Sequence, residues 1–395
     1  MSVLPGPTGR YPIGTLTRHW VDHDRREIFA GPDGGPRELM VQVWYPARAG
    51  ATSPRAPYVD DARTLERLAL LMGLPRRAFE GLASVLTHAV RDAPVADDGL
   101  AYPVLLFSHG RCGVREHNTF QVEELASHGY VVVTIDHPYA ASGVRFPDGR
   151  LVEFDPRLLP PWPRHDPEDP EGAFLDSVIA FLVDDVRFAL RETDALNRDS
   201  REMLRGRLDL GRVGVFGVSL GGMVATATSA LEPRFAAVLS MDAAVPWETV
   251  VVGLGQPVMW MSRDAATMQR EGWSDADIID VHASMRAAFE GLPGDGYIVL
   301  VPGMYHVDFA DGRLLSPLIA ARGISGPIDG RLARDILRTY AVAFFDRHLK
   351  GLPAPVLDER VRWGAELSFE SRRVGGRALR RPEPEDARSA LRGGA

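Results

Sequence analysis

One cysteine in 395 residues, Cys112, leaves no partner for an internal disulfide, so a disulfide-stapled scaffold is excluded. Lysine is almost absent. Of 45 basic residues only Lys350 is a lysine, a bias of codon composition that no mechanism requires. No stretch reaches the ~20 apolar residues of a membrane span. The formal charge of −8, with no basic stripe outside the C-terminal tail, argues against a nucleic-acid surface. Met1 to Pro7 lack a charged start followed by an apolar run, so no secretory leader is expected and a cytoplasmic location is the default. No His-Glu-His or clustered Cys/His spacing suggests a metal site, and no cofactor is expected.

What is present is an ordinary globular composition, 45% hydrophobic and 25% charged, on a chain long enough to bury a large core. Residues 11–21 and 37–46 read as two early strands around the Gly-Pro turn at 31–36. Residues 60–97 are expected to form a helical excursion, judged from the spacing of Leu, Ala, Met and Phe. Strands and helices then alternate as in a doubly wound sheet. Strands are expected at 104–107, 130–135, 212–216, 236–241, 257–262 and 297–301, with helices at 119–128, 177–197 and 336–349. Residues 138–172 form a long proline-rich insertion, expected to be lid-like, with an apolar knot from Leu158 to Trp162. One domain over 1–370 is expected, followed by a disordered Arg/Gly/Pro-rich tail at 371–395.

The sharpest local signal is Gly217-Val218-Ser219-Leu220-Gly221, set between an apolar β-type run and a helix start of small residues. A serine flanked by glycines at a tight strand-to-helix turn is a nucleophile elbow. The turn pushes the hydroxyl into a cleft, and the helix N-terminus favours negative charge there. A serine alcohol needs a base to take its proton and a carboxylate to orient that base. His306 meets the first need, since it follows the strand at 297–301. Two aspartates meet the second: Asp242 ends the strand after the elbow helix, and Asp264 ends the next. Spacing alone does not choose between them, and either could serve as a helix cap.

An oxyanion hole needs two backbone N–H donors. Leu220 follows the nucleophile, and Arg111 lies in the turn Ser108-His109-Gly110-Arg111-Cys112-Gly113 after the strand at 104–107. In the same turn His109 is expected to bond loop backbone and Cys112 to fill space. Trp162, Trp247, Met304 and Tyr305 are candidates for an apolar acyl pocket.

Several motifs in order resemble the platelet-activating-factor acetylhydrolase family, the plasma and intracellular type II branch of the α/β-hydrolases. They are Ser108-His109-Gly110, Leu125 to Tyr130, Gly217 to Gly222, Asp242, and His306 to Asp311. The likeness covers roughly residues 11–350. It implies an α/β-hydrolase fold, a mostly parallel central sheet with helices on both faces. It also implies that Asp242 is the acid, that Arg111 and Leu220 are the oxyanion donors, and that no metal is needed. The family hydrolyses short or oxidised acyl groups at the second position of phospholipids. The expected function is therefore a serine ester hydrolase acting through an acyl-enzyme on a small-molecule ester or lipid. A lactonase, thioesterase or peptidase would use the same triad. A non-catalytic hydrolase-like protein is disfavoured because no triad member is missing.

Overall fold

A β-branched run with no polar side belongs inside a sheet that is covered on both faces. Val131 to Ile135 is such a run, and every residue of its strand is buried. The computed structural model describes residues 4–31, 34–158, 170–358 and 367–373. Its strands are β1 (Ile13–Arg26), β2 (Pro36–Pro46), β3 (Arg55–Pro57), β4 (Leu86–Arg91), β5 (Tyr102–Ser108), β6 (Val131–Asp136) and β7 (Gly143–Arg145). They continue with β8 (Leu151–Glu153), β9 (Leu208–Val218), β10 (Phe235–Met241), β11 (Val258–Ser262), β12 (Gly296–Leu300) and β13 (Ser368–Arg372). Eleven of them form one sheet in the order β13-β12-β11-β10-β9-β5-β6-β2-β1-β4-β3, while β7 and β8 make a separate hairpin. From β12 through β6 neighbouring strands are parallel. β2 joins β6 antiparallel, and β13 joins β12 antiparallel.

Helices cover both faces. Thr119–Ser127 lies with Gly330–Lys350, and Pro170–Arg198 lies with Leu220–Leu231. Gly330–Lys350 shows why the sequence makes a helix there. Ile336, Leu337, Tyr340, Ala341, Phe344 and Phe345 recur at one-turn spacing and are all buried. Asp329 caps its start by accepting from the backbone N–H groups of Arg331 and Leu332, and Gly351 ends it in the left-handed conformation. Phe345 meets Phe216 of β9, whose ring in turn sits 4.9 Å from that of Phe107 on β5. The helix thus clamps the strands that carry the elbow and the preceding loop.

Three expectations need correction. The segment at 60–97 is helical only at Ala62–Leu65, Glu66–Leu71 and Glu80–Ser84, and it ends in strand β4. There Thr87 and Ala89 point inward between more exposed neighbours, a period of two concealed by the surrounding Leu and Ala. β4 pairs parallel with β1 and antiparallel with β3. The insertion at 138–172 is not simply a loop: it holds the β7–β8 hairpin and a 3₁₀ turn at Pro156–Leu158, and it runs into the helix starting at Pro170. Leu159 to Trp162 lie outside the described residues. Finally, Ser371 and Arg372, read as tail, belong to edge strand β13. That strand is too polar to announce itself, and Phe369 docks it by stacking on Tyr340 at 5.8 Å. Among the described residues no helix is long and apolar enough to cross a membrane.

Candidate active site

The carboxyl ends of β9, β10, β11 and β12 are laced side by side. Ser219 N donates to Met241 O (2.9 Å), Asp242 N to Met261 O (2.7 Å) and Val301 N to Ser262 O (2.8 Å). Side chains placed just beyond these strand ends therefore share one edge of the sheet, where α/β folds gather their sites.

Ser219 sits between β9 and helix Leu220–Leu231 with φ 56° and ψ −126°. A side-chain-bearing residue held there stores of order 1–3 kcal/mol of backbone strain. Sterics explain the flanking glycines. A Cβ on Gly217 would lie 2.2 Å from Gly221 O, and one on Gly221 would lie 2.0 Å from Ser108 O. The turn can close, and the end of β5 can reach it, only because both positions lack a side chain.

Asp242 follows β10 and is buried, with φ 46°. Its Oδ2 lies 2.5 Å from Nδ1 of His306, which opens a short 3₁₀ turn after β12. With Nδ1 engaged, Nε2 is the ring nitrogen left to take a proton. Asp242 Oδ1 accepts from Ser262 Oγ (3.0 Å) and Arg263 Nε (2.9 Å). Burial works to raise this carboxyl, but the Arg263 guanidinium and His306 outweigh it and hold the group well below the ordinary carboxylate range. Asp264, the other aspartate left open by spacing, is turned elsewhere. It caps helix Ala265–Glu271 by accepting from Thr267 N at 2.8 Å.

The turn after β5 is anchored from below. His109 Nδ1 lies 2.7 Å from Gly110 O, and its Nε2 accepts from His137 N at 3.1 Å. These two partners assign the proton to Nδ1. Burial, reinforced by the neighbouring His137, holds His109 far below its usual range, so the ring is neutral. The peptide linking Gly110 to Arg111 is planar. Fixing its carbonyl through His109 and Gly113 N (2.8 Å) directs the Arg111 N–H to the opposite side. Gly110 itself abuts Ser219, since a Cβ there would lie 3.2 Å from the Cβ of Ser219.

A second Ser-His-Asp chain lies beneath. Ser108 Oγ is 2.9 Å from His137 Nε2, and His137 Nδ1 is 2.9 Å from Asp185 Oδ2. All three are at most 1% exposed, and Asp185 is also bound by Arg37 and Arg25. A hydroxyl sealed in this way meets no substrate. The chain ties the end of β5 to helix Pro170–Arg198.

The pocket residues expected from sequence scatter. Met304 is fully buried in the central core and offers no surface to a ligand, because the turn after β12 tucks it inward. Trp247 starts a short helix and its indole N–H donates to Asp280 Oδ1 at 3.0 Å. Tyr305 is half-buried beside His306, and Trp162 lies outside the described residues. Sequence reasoning missed Arg263 and Glu271. Arg263 is 1% exposed and bridges Asp242 to Glu271, whose Oε1 accepts the backbone N–H of His306 at 3.0 Å. The only signal available was an arginine placed directly after a buried strand.

Among the described residues no cluster of three His, Cys, Asp or Glu side chains is placed to hold a metal ion. With charge stabilisation assigned to backbone N–H donors, hydrolytic activity is expected to survive exhaustive treatment with EDTA. Its loss, followed by recovery on adding one divalent ion, would contradict this.

A mostly parallel sheet with helices on both faces and a strand-elbow-helix at its centre is the α/β-hydrolase fold. Residues 103–270 match the family profile described as alpha/beta hydrolase fold, and residues 4–145 match that of platelet-activating factor acetylhydrolase, isoform II. The chain is similar to the ferulic acid esterase from Streptomyces cinnamoneus, with a TM-score of 0.71 and 30% identity over 93% of this chain and 98% of that one. It is 24% identical to the platelet-activating factor acetylhydrolase of Cavia porcellus over 64% of this chain, a match that spans 58% of that enzyme's length. A probable 1-alkyl-2-acetylglycerophosphocholine esterase of Arthroderma benhamiae is 23% identical over 88% of this chain and 89% of its own length. The chain belongs to the α/β-hydrolases, and its N-terminal third carries the match to the platelet-activating factor acetylhydrolase, isoform II profile.

Proposed function

We propose that the protein is a serine carboxylic ester hydrolase that cleaves short-chain acyl esters through an acyl-enzyme. The observation that carries this reading is the 2.5 Å pair of His306 Nδ1 and Asp242 Oδ2 on the same sheet edge as the strained Ser219. His306 Nε2 takes the proton of Ser219 as its oxygen attacks the ester carbonyl. The same nitrogen returns that proton to the departing alcohol. Asp242 holds the tautomer that leaves Nε2 free to do so. Backbone N–H groups of Leu220, at the orphan start of its helix, and of Arg111 receive the oxyanion. Water then repeats the sequence on the acyl-enzyme.

The match to the platelet-activating factor acetylhydrolase, isoform II profile supports an acyl pocket suited to small acyl groups. Each methylene such a pocket buries adds ~0.8 kcal/mol, or roughly fourfold in kcat/KM, until the site is full. Across p-nitrophenyl esters from acetate to palmitate, kcat/KM should rise to about butyrate or hexanoate and then fall. An optimum at palmitate would sink the short-acyl reading. The family relation makes 2-acetyl glycerophospholipids a substrate class to include. The 30% identity to a ferulic acid esterase over almost the whole chain favours a second class, hydroxycinnamate esters. Methyl ferulate in the same panel separates the two: a kcat/KM above that for butyrate would move the assignment to aromatic acyl groups.

A further inference from the structure

We propose that Arg263 and Glu271 form a charge clamp behind the Asp242–His306 pair and set the acid limb of the pH–activity profile. This rests on the ester-hydrolase reading above.

The clamp is a closed ring. Asp242 Oδ2 binds the His306 ring at 2.5 Å, and Asp242 Oδ1 binds Arg263 Nε at 2.9 Å. Arg263 Nη1 binds Glu271 Oε2, and Glu271 Oε1 returns to the backbone N–H of His306 at 3.0 Å. Arg263 is 1% exposed, and its guanidinium lies 4.5 Å from the centre of the Trp273 ring. A guanidinium removed from water in this way persists only where carboxylates and a π-face compensate it. The arrangement gives each carboxylate a different task. Asp242 shares its negative charge between His306 and Arg263, which weakens its hold on a protonated imidazole. Glu271 brings a second negative charge to the backbone N–H of His306, which strengthens that hold. Arg263 and Glu271 therefore bring opposite charges to bear on the same residue, one through Asp242 and one through the backbone N–H.

Neighbouring charged groups are engaged elsewhere: Asp308 Oδ2 accepts from Tyr305 N and Gly326 N, both at 2.8 Å, and its Oδ1 accepts from Arg313 Nε at 3.0 Å. His117, from the loop after β5, is pushed down to about 4 by burial and by His306, so it is neutral in the working range. His282 Nε2 lies 3.0 Å from Arg263 O, and burial lowers it below its usual range. The Asp264 carboxylate faces Thr267 N. Burial outweighs the opposing pull of Arg263 and the His306 N–H and raises Glu271 above its ordinary value.

The test is the pH dependence of kcat/KM on a short-chain ester, with active sites counted by fluorophosphonate titration. In Arg263→Gln the acid limb should move up by about one pH unit, and in Glu271→Gln it should move down by a similar amount. Arg263→Lys should leave the limb near its wild-type position. Glu271→Gln keeps an oxygen for the His306 N–H and loses only charge, so it decides the matter if Arg263→Gln does not fold. An unmoved limb in Glu271→Gln, or movement of both variants in one direction, overturns the clamp. Failure of the ester-hydrolase reading is a different result: wild-type enzyme that neither hydrolyses esters nor takes the label at any pH.

Discussion

Replacing Ser219 by alanine should lower kcat for ester hydrolysis by ~10⁴-fold or more while leaving the melting temperature unchanged. The activity loss follows because no other hydroxyl takes its place at the elbow. Ser108 lies on the next strand, but its Oγ is sealed against His137 and is 1% exposed. The unchanged stability follows because alanine meets the same backbone strain at φ 56° as serine does, and the serine hydroxyl caps nothing in its helix. Steady-state kinetics and thermal unfolding on the purified variant check both halves. Turnover near wild type in a folded Ser219→Ala protein would remove the nucleophile from the scheme.

The second large effect separates the two aspartates. Asp242→Asn should cut kcat by about 10³- to 10⁴-fold, because an amide at this position can donate to His306 Nδ1 and stabilise the wrong tautomer. It also leaves Arg263 facing a neutral partner in a buried site, so some loss of stability should accompany it. Asp264→Asn should keep full activity and nearly full stability, since asparagine caps helices about as well as aspartate does. Both variants are compared on one chromogenic ester at neutral pH. A crippled Asp264→Asn enzyme beside an active Asp242→Asn enzyme would reverse the assignment.

Features carried by adjacent residues were the ones legible in the sequence. The elbow is local, because the glycines, the serine and the flanking strand and helix are contiguous, and the structure places all of them as expected. The buried strands β5, β6, β9, β10 and β11 were equally plain, since fully covered strands carry unbroken apolar runs. The edges were not. β4 alternates small and polar residues within a stretch rich in Leu and Ala, and β13 carries one apolar anchor among Ser, Glu and Arg. The choice between Asp242 and Asp264 was also beyond spacing, because both end adjacent parallel strands. Only the direction of each side chain, one to His306 and one to Thr267 N, distinguishes them. Arg263 and Glu271 were invisible for the same reason: their importance is a set of distances across three elements. Met304 misled because proximity in sequence to His306 says nothing about which way the chain turns a side chain.

The most direct measurement on the central assignment is mass spectrometry of the wild-type protein after reaction with a fluorophosphonate. The arrangement of Ser219, His306 and Asp242 predicts one adduct per chain, mapped to the peptide carrying Ser219 and absent from Ser219→Ala. No adduct, or a stoichiometric adduct on any other residue, would contradict it.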